Sequence, residues 1–202
     1  MMQKKDIPNA ICWFRIALIP AVLFFLVESN LTSWLQYSTS VLISGILFAV
    51  AMISDFVDGK IARKYNYISD LGKFLDPIAD KMLVLAVCVA FAGIGVFGHI
   101  MLISVIAILL RELMISGLRL SAASHGNVVA ANWWGKIKTT LQGFSIGATY
   151  VCLLLNELLP TMGHTNVWYL LLIPEILFAI NGIYAWISAI PYIKACAPYL
   201  KG

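Results

Sequence analysis

The apolar residues of this chain fall in long, nearly continuous blocks, and that distribution limits its fold more than any other feature. Six blocks stand out, roughly 7–28, 37–58, 77–97, 100–121, 136–158 and 167–193. An apolar run of about 20 residues is long enough to cross a bilayer as a helix. Inside lipid the backbone must satisfy its own hydrogen bonds, so helices are the default, and a barrel would need alternating strands that these blocks lack. Composition agrees: 61% of the 202 residues are hydrophobic and 12% are charged, whereas a soluble domain carries about a quarter charged residues. The expectation is an all-α, polytopic membrane protein, a bundle of six transmembrane helices forming one domain over 1–202. No room is left for a separate soluble domain.

Lys4 and Lys5 precede an apolar stretch, as they would in a secretory signal. Asn9 and Arg15 interrupt that stretch and no small-residue cleavage site follows, so the segment reads as mature structure. Cys12, Cys88, Cys152 and Cys196 stand singly, without the paired spacing of a zinc site. They read as buried thiols that behave as small hydrophobes.

Charge sets the orientation. With six spans, the basic residues Lys4, Lys5, Lys60, Arg63, Lys64, Lys73, Lys81, Arg119, Lys136, Lys138, Lys194 and Lys201 gather at alternate helix ends, on one side. Arg15 and Arg111 fall deeper inside spans. The opposite connections, about 29–36, 94–99 and 159–166, hold no Lys or Arg. By the positive-inside rule both termini and the long connections are cytoplasmic.

Five of the ten acidic residues lie between 55 and 80. At about 3.6 residues per turn, Asp55, Asp58, Gly59 and Ala62 share one helix face, and Gly72, Asp76 and Asp80 share another. Two successive helices thus each present two carboxylates from the cytoplasmic side. A charge cluster is often only a solvated face, as at Asp70, and Asp76 and Asp80 would also suit a helix N-terminus. Neither account covers Asp55 and Asp58 at the end of a long apolar run, where buried charge is costly. A divalent cation removes both that cost and the mutual repulsion, and hard oxygen ligands point to Mg²⁺, Mn²⁺ or Ca²⁺. Gly59 and Ala62 leave room for a phosphorylated group beside the carboxylates, although such a pair alone is commonly a helix-packing contact. Arg63 and Lys73 could meet phosphate oxygens, or could serve only the topology.

A second set of charges lies further on. Arg111, Glu112 and Arg119 belong to the fourth span, and Lys136 and Lys138 open the fifth. The four cations could form a pocket for a small anionic substrate, since Arg suits bidentate phosphate contacts and Lys a point-charge contact. Taken singly, Arg119, Lys136 and Lys138 would be topology anchors and Arg111 an ion partner of Glu112.

The full pattern Asp55-x2-Asp58-Gly59-x2-Ala62-Arg63-x8-Gly72-x3-Asp76-x3-Asp80 resembles the signature of the CDP-alcohol phosphatidyltransferases at every fixed position and in both gaps. The resemblance implies six transmembrane helices, a homodimer and a two-metal site open to the cytoplasm. Two divalent cations, Mg²⁺ or Mn²⁺, would be held by Asp55, Asp58, Asp76 and Asp80, with Asp80 also the candidate general base. Asn9, Gly59, Ala62, Arg63, Gly72 and Lys73 become candidates for binding CDP-diacylglycerol. The segments 111–119 and 135–142, with Ile7-Pro8-Asn9 and Arg15, resemble the branch that uses sn-glycerol 3-phosphate as acceptor, which assigns Arg111, Arg119, Lys136 and Lys138 to its phosphate. At Cys12 the chain departs from that branch, which commonly carries Thr there. The implied setting is a bacterial cytoplasmic membrane with the active site facing the cytoplasm and membrane lipids around it. No nucleic-acid partner is expected. The competing expectations are a sibling enzyme with another acceptor alcohol and, more remotely, a divalent-cation transporter using the same carboxylates as an ion path.

Overall fold

The structure is a computed structural model. It describes the backbone of residues 7–31, 36–65, 70–124, 132–162 and 167–197, and the side chains of 13–27, 36–54, 81–123, 132–160, 162 and 167–197. Among the described residues six helices follow one another: α1 (Ile7–Leu31), α2 (Tyr37–Tyr65), α3 (Asp70–Gly93), α4 (His99–Ser124), α5 (Trp133–Thr161) and α6 (Tyr169–Cys196). Among the described residues there is no strand. Tyr37–Ser54, His99–Ala123, Trp133–Pro160 and Tyr169–Cys196 are long and apolar enough to cross a bilayer, and shorter apolar stretches cover Trp13–Val27 and Lys81–Gly93.

Burial on each helix follows a three- and four-residue spacing, as it must when one stripe packs against neighbours. Among the described side chains the buried positions on α1 are Arg15, Ile19, Val22 and Leu26, and on α2 Ser40, Val41, Ser44, Phe48 and Ala51. The outward faces are not polar, as they would be in water. Leu113, Phe144 and Ile183 are 66%, 64% and 65% exposed. Only 28–39% of each long apolar window is buried within the chain. Side chains of this kind are stable on the outside only against hydrocarbon.

The helices pack into two compact units. The first comprises residues 1–90 and 153–164, the second 91–152 and 165–202. In the first, α1 packs on α2, and the Ser44 hydroxyl donates to the Val22 carbonyl at 2.9 Å, which satisfies a buried polar group across the helix pair. In the second, α4 packs on α6. Their backbones approach closely at Gly182, where a methyl group would touch the Ser104 main chain at 3.5 Å. Phe91 is fully buried, with Phe97, Tyr150 and Phe178 edge-on around it at 6.4, 5.0 and 6.5 Å between ring centres. Glu175 of α6 accepts from the Gly98 amide at 2.5 Å, placing a carboxylate at the N-terminus of α4, where the helix dipole favours it.

The helix boundaries differ from the apolar blocks in instructive places. α2 runs on to Tyr65, beyond the expected 58, because the Lys-Ile-Ala-Arg-Lys segment is charged but strongly helix-forming. α3 begins at Asp70, not 77, so Pro77 lies within the helix. It stops at Gly93, before the expected 97, and Gly95 then takes a φ of 72°, a conformation that favours glycine. The connection expected at about 94–99 is therefore present, whereas Pro160, within the connection expected at about 159–166, falls inside the last turn of α5. Cys88, Cys152 and Cys196 are buried thiols outside any disulfide; the side chain of Cys12 lies outside the described residues.

Candidate functional site

A buried ionic cluster ties three helices of the second unit together. Arg111 and Glu112 on α4 and Lys138 on α5 are 4%, 7% and 5% exposed. One carboxylate oxygen, Glu112 Oε1, accepts from Arg111 Nη1 at 2.7 Å and from Lys138 Nζ at 2.6 Å. Arg111 also donates through Nε to the Ala185 carbonyl at 3.1 Å and through Nη2 to the Ser188 hydroxyl at 2.9 Å, both on α6. The Ser188 hydroxyl in turn donates to the Ala185 carbonyl at 2.7 Å. Buried charges are tolerated only when paired and hydrogen-bonded, and each nitrogen of the guanidinium has an acceptor within the protein.

Tyr192 extends the cluster toward the start of α5. Its ring lies 5.8 Å from the Arg111 guanidinium, at the outer limit of a cation–π contact. Its hydroxyl accepts from the Asn132 amide at 2.9 Å, and the Asn132 side chain accepts from the Gly135 amide at 3.0 Å, an N-terminal cap for α5. From Lys138 the buried face of α5 continues through Gln142, Ser145 and Thr149. Ser145 and Thr149 turn their hydroxyls back to the Leu141 and Ser145 carbonyls at 2.8 and 2.7 Å.

Of the four cations expected to meet the acceptor phosphate, the structure brings Arg111 and Lys138 together on Glu112. Arg119 is exposed near the end of α4. Lys136 is exposed on the first turns of α5, with its ammonium 5.7 Å from the Trp133 ring centre. The aspartates divide between two unbroken helices, Asp55 and Asp58 on α2 and Asp76 and Asp80 on α3, so each pair keeps the register its spacing requires. Gly59, Ala62 and Arg63 also lie on α2, Gly72 and Lys73 on α3, and Asn9 on α1. The side chains of all these residues lie outside the described ones, so the metal set and the CDP contacts do too. Among the described residues no group of His, Cys, Asp or Glu side chains could hold a metal ion.

Sequence reasoning paired Arg111 with Glu112 but missed Ser188 and Tyr192. The available signal was their four-residue spacing on a strongly apolar helix, since polar side chains repeated on one face of a span need a partner.

The fold and this site together define a class: an all-helical protein with several membrane-length apolar helices, a buried cluster of cations clamped by one carboxylate, and an aspartate pair on each of two other helices. The sequence profile of the CDP-alcohol phosphatidyltransferases matches residues 5–190, and the chain belongs to that family. Three relatives are named CDP-diacylglycerol--glycerol-3-phosphate 3-phosphatidyltransferase. The Mycoplasma genitalium protein is 34% identical over 91% of this chain and 82% of its own length. The Rickettsia bellii protein is 34% identical over 98% of this chain and 99% of its own. The Bacillus subtilis protein is 40% identical over 71% and 75%.

Proposed function

We propose that this chain transfers the phosphatidyl group of CDP-diacylglycerol to sn-glycerol 3-phosphate, a step in anionic phospholipid synthesis. The observation that carries this reading is the end-to-end match to a relative bearing that name, 34% identical over 98% of one chain and 99% of the other. An acceptor hydroxyl attacks the phosphorus that carries the diacylglycerol. The bond from that phosphorus to CMP breaks, and phosphatidylglycerophosphate and CMP result.

Asp55, Asp58, Asp76 and Asp80 would hold two divalent cations, Mg²⁺ or Mn²⁺. Their hard carboxylate oxygens are the donors such ions take, and the unbroken helices keep each pair in register. Bound there, such ions supply charge neutralisation at the donor pyrophosphate and on departing CMP. Asp80 takes the proton of the acceptor hydroxyl. Asn9, Gly59, Ala62, Arg63, Gly72 and Lys73 hold the CDP portion, with Gly59 and Ala62 leaving space beside the carboxylates. Arg119, Lys136 and Lys138 serve the acceptor phosphate directly, and Arg111 serves it from within the cluster on Glu112. The protein crosses a bacterial cytoplasmic membrane six times, with both termini and the active site on the cytoplasmic face, and works as a homodimer.

The test is a lipid-product assay on the purified protein with CDP-diacylglycerol, labelled glycerol 3-phosphate and Mg²⁺. Phosphatidylglycerophosphate and CMP should appear in equal amounts, and serine or inositol phosphate should not replace the acceptor. Chelation should stop turnover, with Mg²⁺ or Mn²⁺ restoring it, and Asp76→Asn should abolish it while the protein stays monodisperse in detergent. Full activity after rigorous metal removal would end the metal assignment, and product from another alcohol alone would end the acceptor assignment.

A further inference from the structure

We propose that Glu112 is the positioning residue of the acceptor pocket: it fixes the Lys138 ammonium for the acceptor phosphate, while Arg111 fastens Glu112 to α6. The inference rests on the proposed use of glycerol 3-phosphate and assigns a division of labour within its site. Glu112 Oε1 is shared by Arg111 at 2.7 Å and Lys138 at 2.6 Å, and all three side chains are buried. Arg111 spends Nε on the Ala185 carbonyl and Nη2 on the Ser188 hydroxyl. A guanidinium held on three sides by its own protein is a strut. It sets where the carboxylate stands, and through the carboxylate where Lys138 stands.

Lys138 has a different character. An ammonium has three N–H donors on a flexible four-carbon stem, and an unheld lysine must be ordered when its anion arrives. With one N–H directed at Glu112, the place of the ammonium is set in advance. Glu112 is therefore needed for acceptor affinity without touching the acceptor. It has no corresponding duty toward CDP-diacylglycerol.

The experiment is a double-mutant cycle on the full-length enzyme, with both Michaelis constants measured. Glu112→Gln keeps the shape of the side chain and removes its charge. It should raise KM for glycerol 3-phosphate about 10-fold, the lower end of what one charge-assisted hydrogen bond is worth, and leave that for CDP-diacylglycerol within about twofold. In a Lys138→Met background the same substitution should add less than about twofold to KM for glycerol 3-phosphate, because the residue it acts through is gone. Effects of Glu112→Gln and Lys138→Met that multiply, or a loss confined to kcat or shared equally by both Michaelis constants, would overturn the proposal. If Glu112→Gln is not recovered from detergent, the cycle is run in native membranes with Glu112→Asp, which keeps the charge and withdraws it by one methylene. The same selective, non-multiplying rise is expected there, and its absence overturns the proposal equally. Failure of the underlying functional reading looks different: the wild type itself would make no lipid product from glycerol 3-phosphate.

Discussion

Asp80 is asked to do two things, to ligate a cation and to accept a proton, and the two can be separated at a single atom. Asp80→Asn keeps an oxygen that can still approach a metal but cannot take a proton at neutral pH. CDP-diacylglycerol should bind this variant far better than the variant turns it over, with kcat lowered by about 10²–10⁴-fold, the usual worth of general-base catalysis. Binding of the donor measured beside single-turnover rates checks this, and near-normal turnover would exclude the role. The aspartate pairs stand out in the sequence because spacings of three and four residues set each pair on one face of its own helix. The Arg111 anchorage was legible only in part. Its partner Glu112 is adjacent in the chain, whereas the Ala185 carbonyl and the Ser188 hydroxyl come from α6, more than seventy residues on. Contacts between distant helices leave no local signal, and a backbone carbonyl leaves none at all.

The same contrast holds for elements. Apolar blocks located each of the six described helices, since a long apolar run is legible from the sequence alone. They misplaced the ends of α2 and α3, because these helices continue past the apolar part into charged sequence. The start of α5 shows what fixes a boundary instead. Asn132 caps the helix through the Gly135 amide, and Tyr192 accepts from the Asn132 amide. Gly135 is required for this: a methyl group there would stand 2.6 Å from the Tyr192 hydroxyl oxygen, well inside contact distance. Gly135→Ala should therefore push Tyr192 off Asn132 and lower the apparent melting temperature in detergent, by an amount corresponding to about 1–3 kcal/mol for overpacking. Tyr192→Phe alone should cost about 0.5–1.5 kcal/mol for the lost hydrogen bond. Combined, the two should cost less than their sum, since removing the hydroxyl makes room for the methyl group. Strict additivity would show that the first turn of α5 is held in some other way.

On the scale of the whole molecule, the number of helices that cross the membrane decides where the charges go. Among the described residues four helices have membrane-length apolar windows, and the described apolar parts of α1 and α3 are shorter. If only α2, α4, α5 and α6 crossed, the C-terminal end of α2 would share a side with the α5–α6 connection. Lys60, Arg63 and Lys64 would then lie across the membrane from Lys136, Lys138 and Lys194, and the positive charge would be split between the two faces. If all six cross, these residues share one face and the connections lacking Lys and Arg share the other, as the positive-inside rule favours. The two arrangements separate cleanly by thiol labelling of intact cells, after the natural cysteines have been replaced by alanine. Met162 and Ala197 are exposed near the ends of α5 and α6, and Tyr65 closes α2. With six spans, Met162→Cys should react with an impermeant reagent from outside, and Tyr65→Cys and Ala197→Cys only after permeabilisation. With four, Tyr65→Cys would label together with Met162→Cys and opposite to Ala197→Cys. That second pattern would put Asp55 and Asp58, on the last turns of α2, on the face away from Lys138, and so remove the cytoplasmic site proposed for the two substrates.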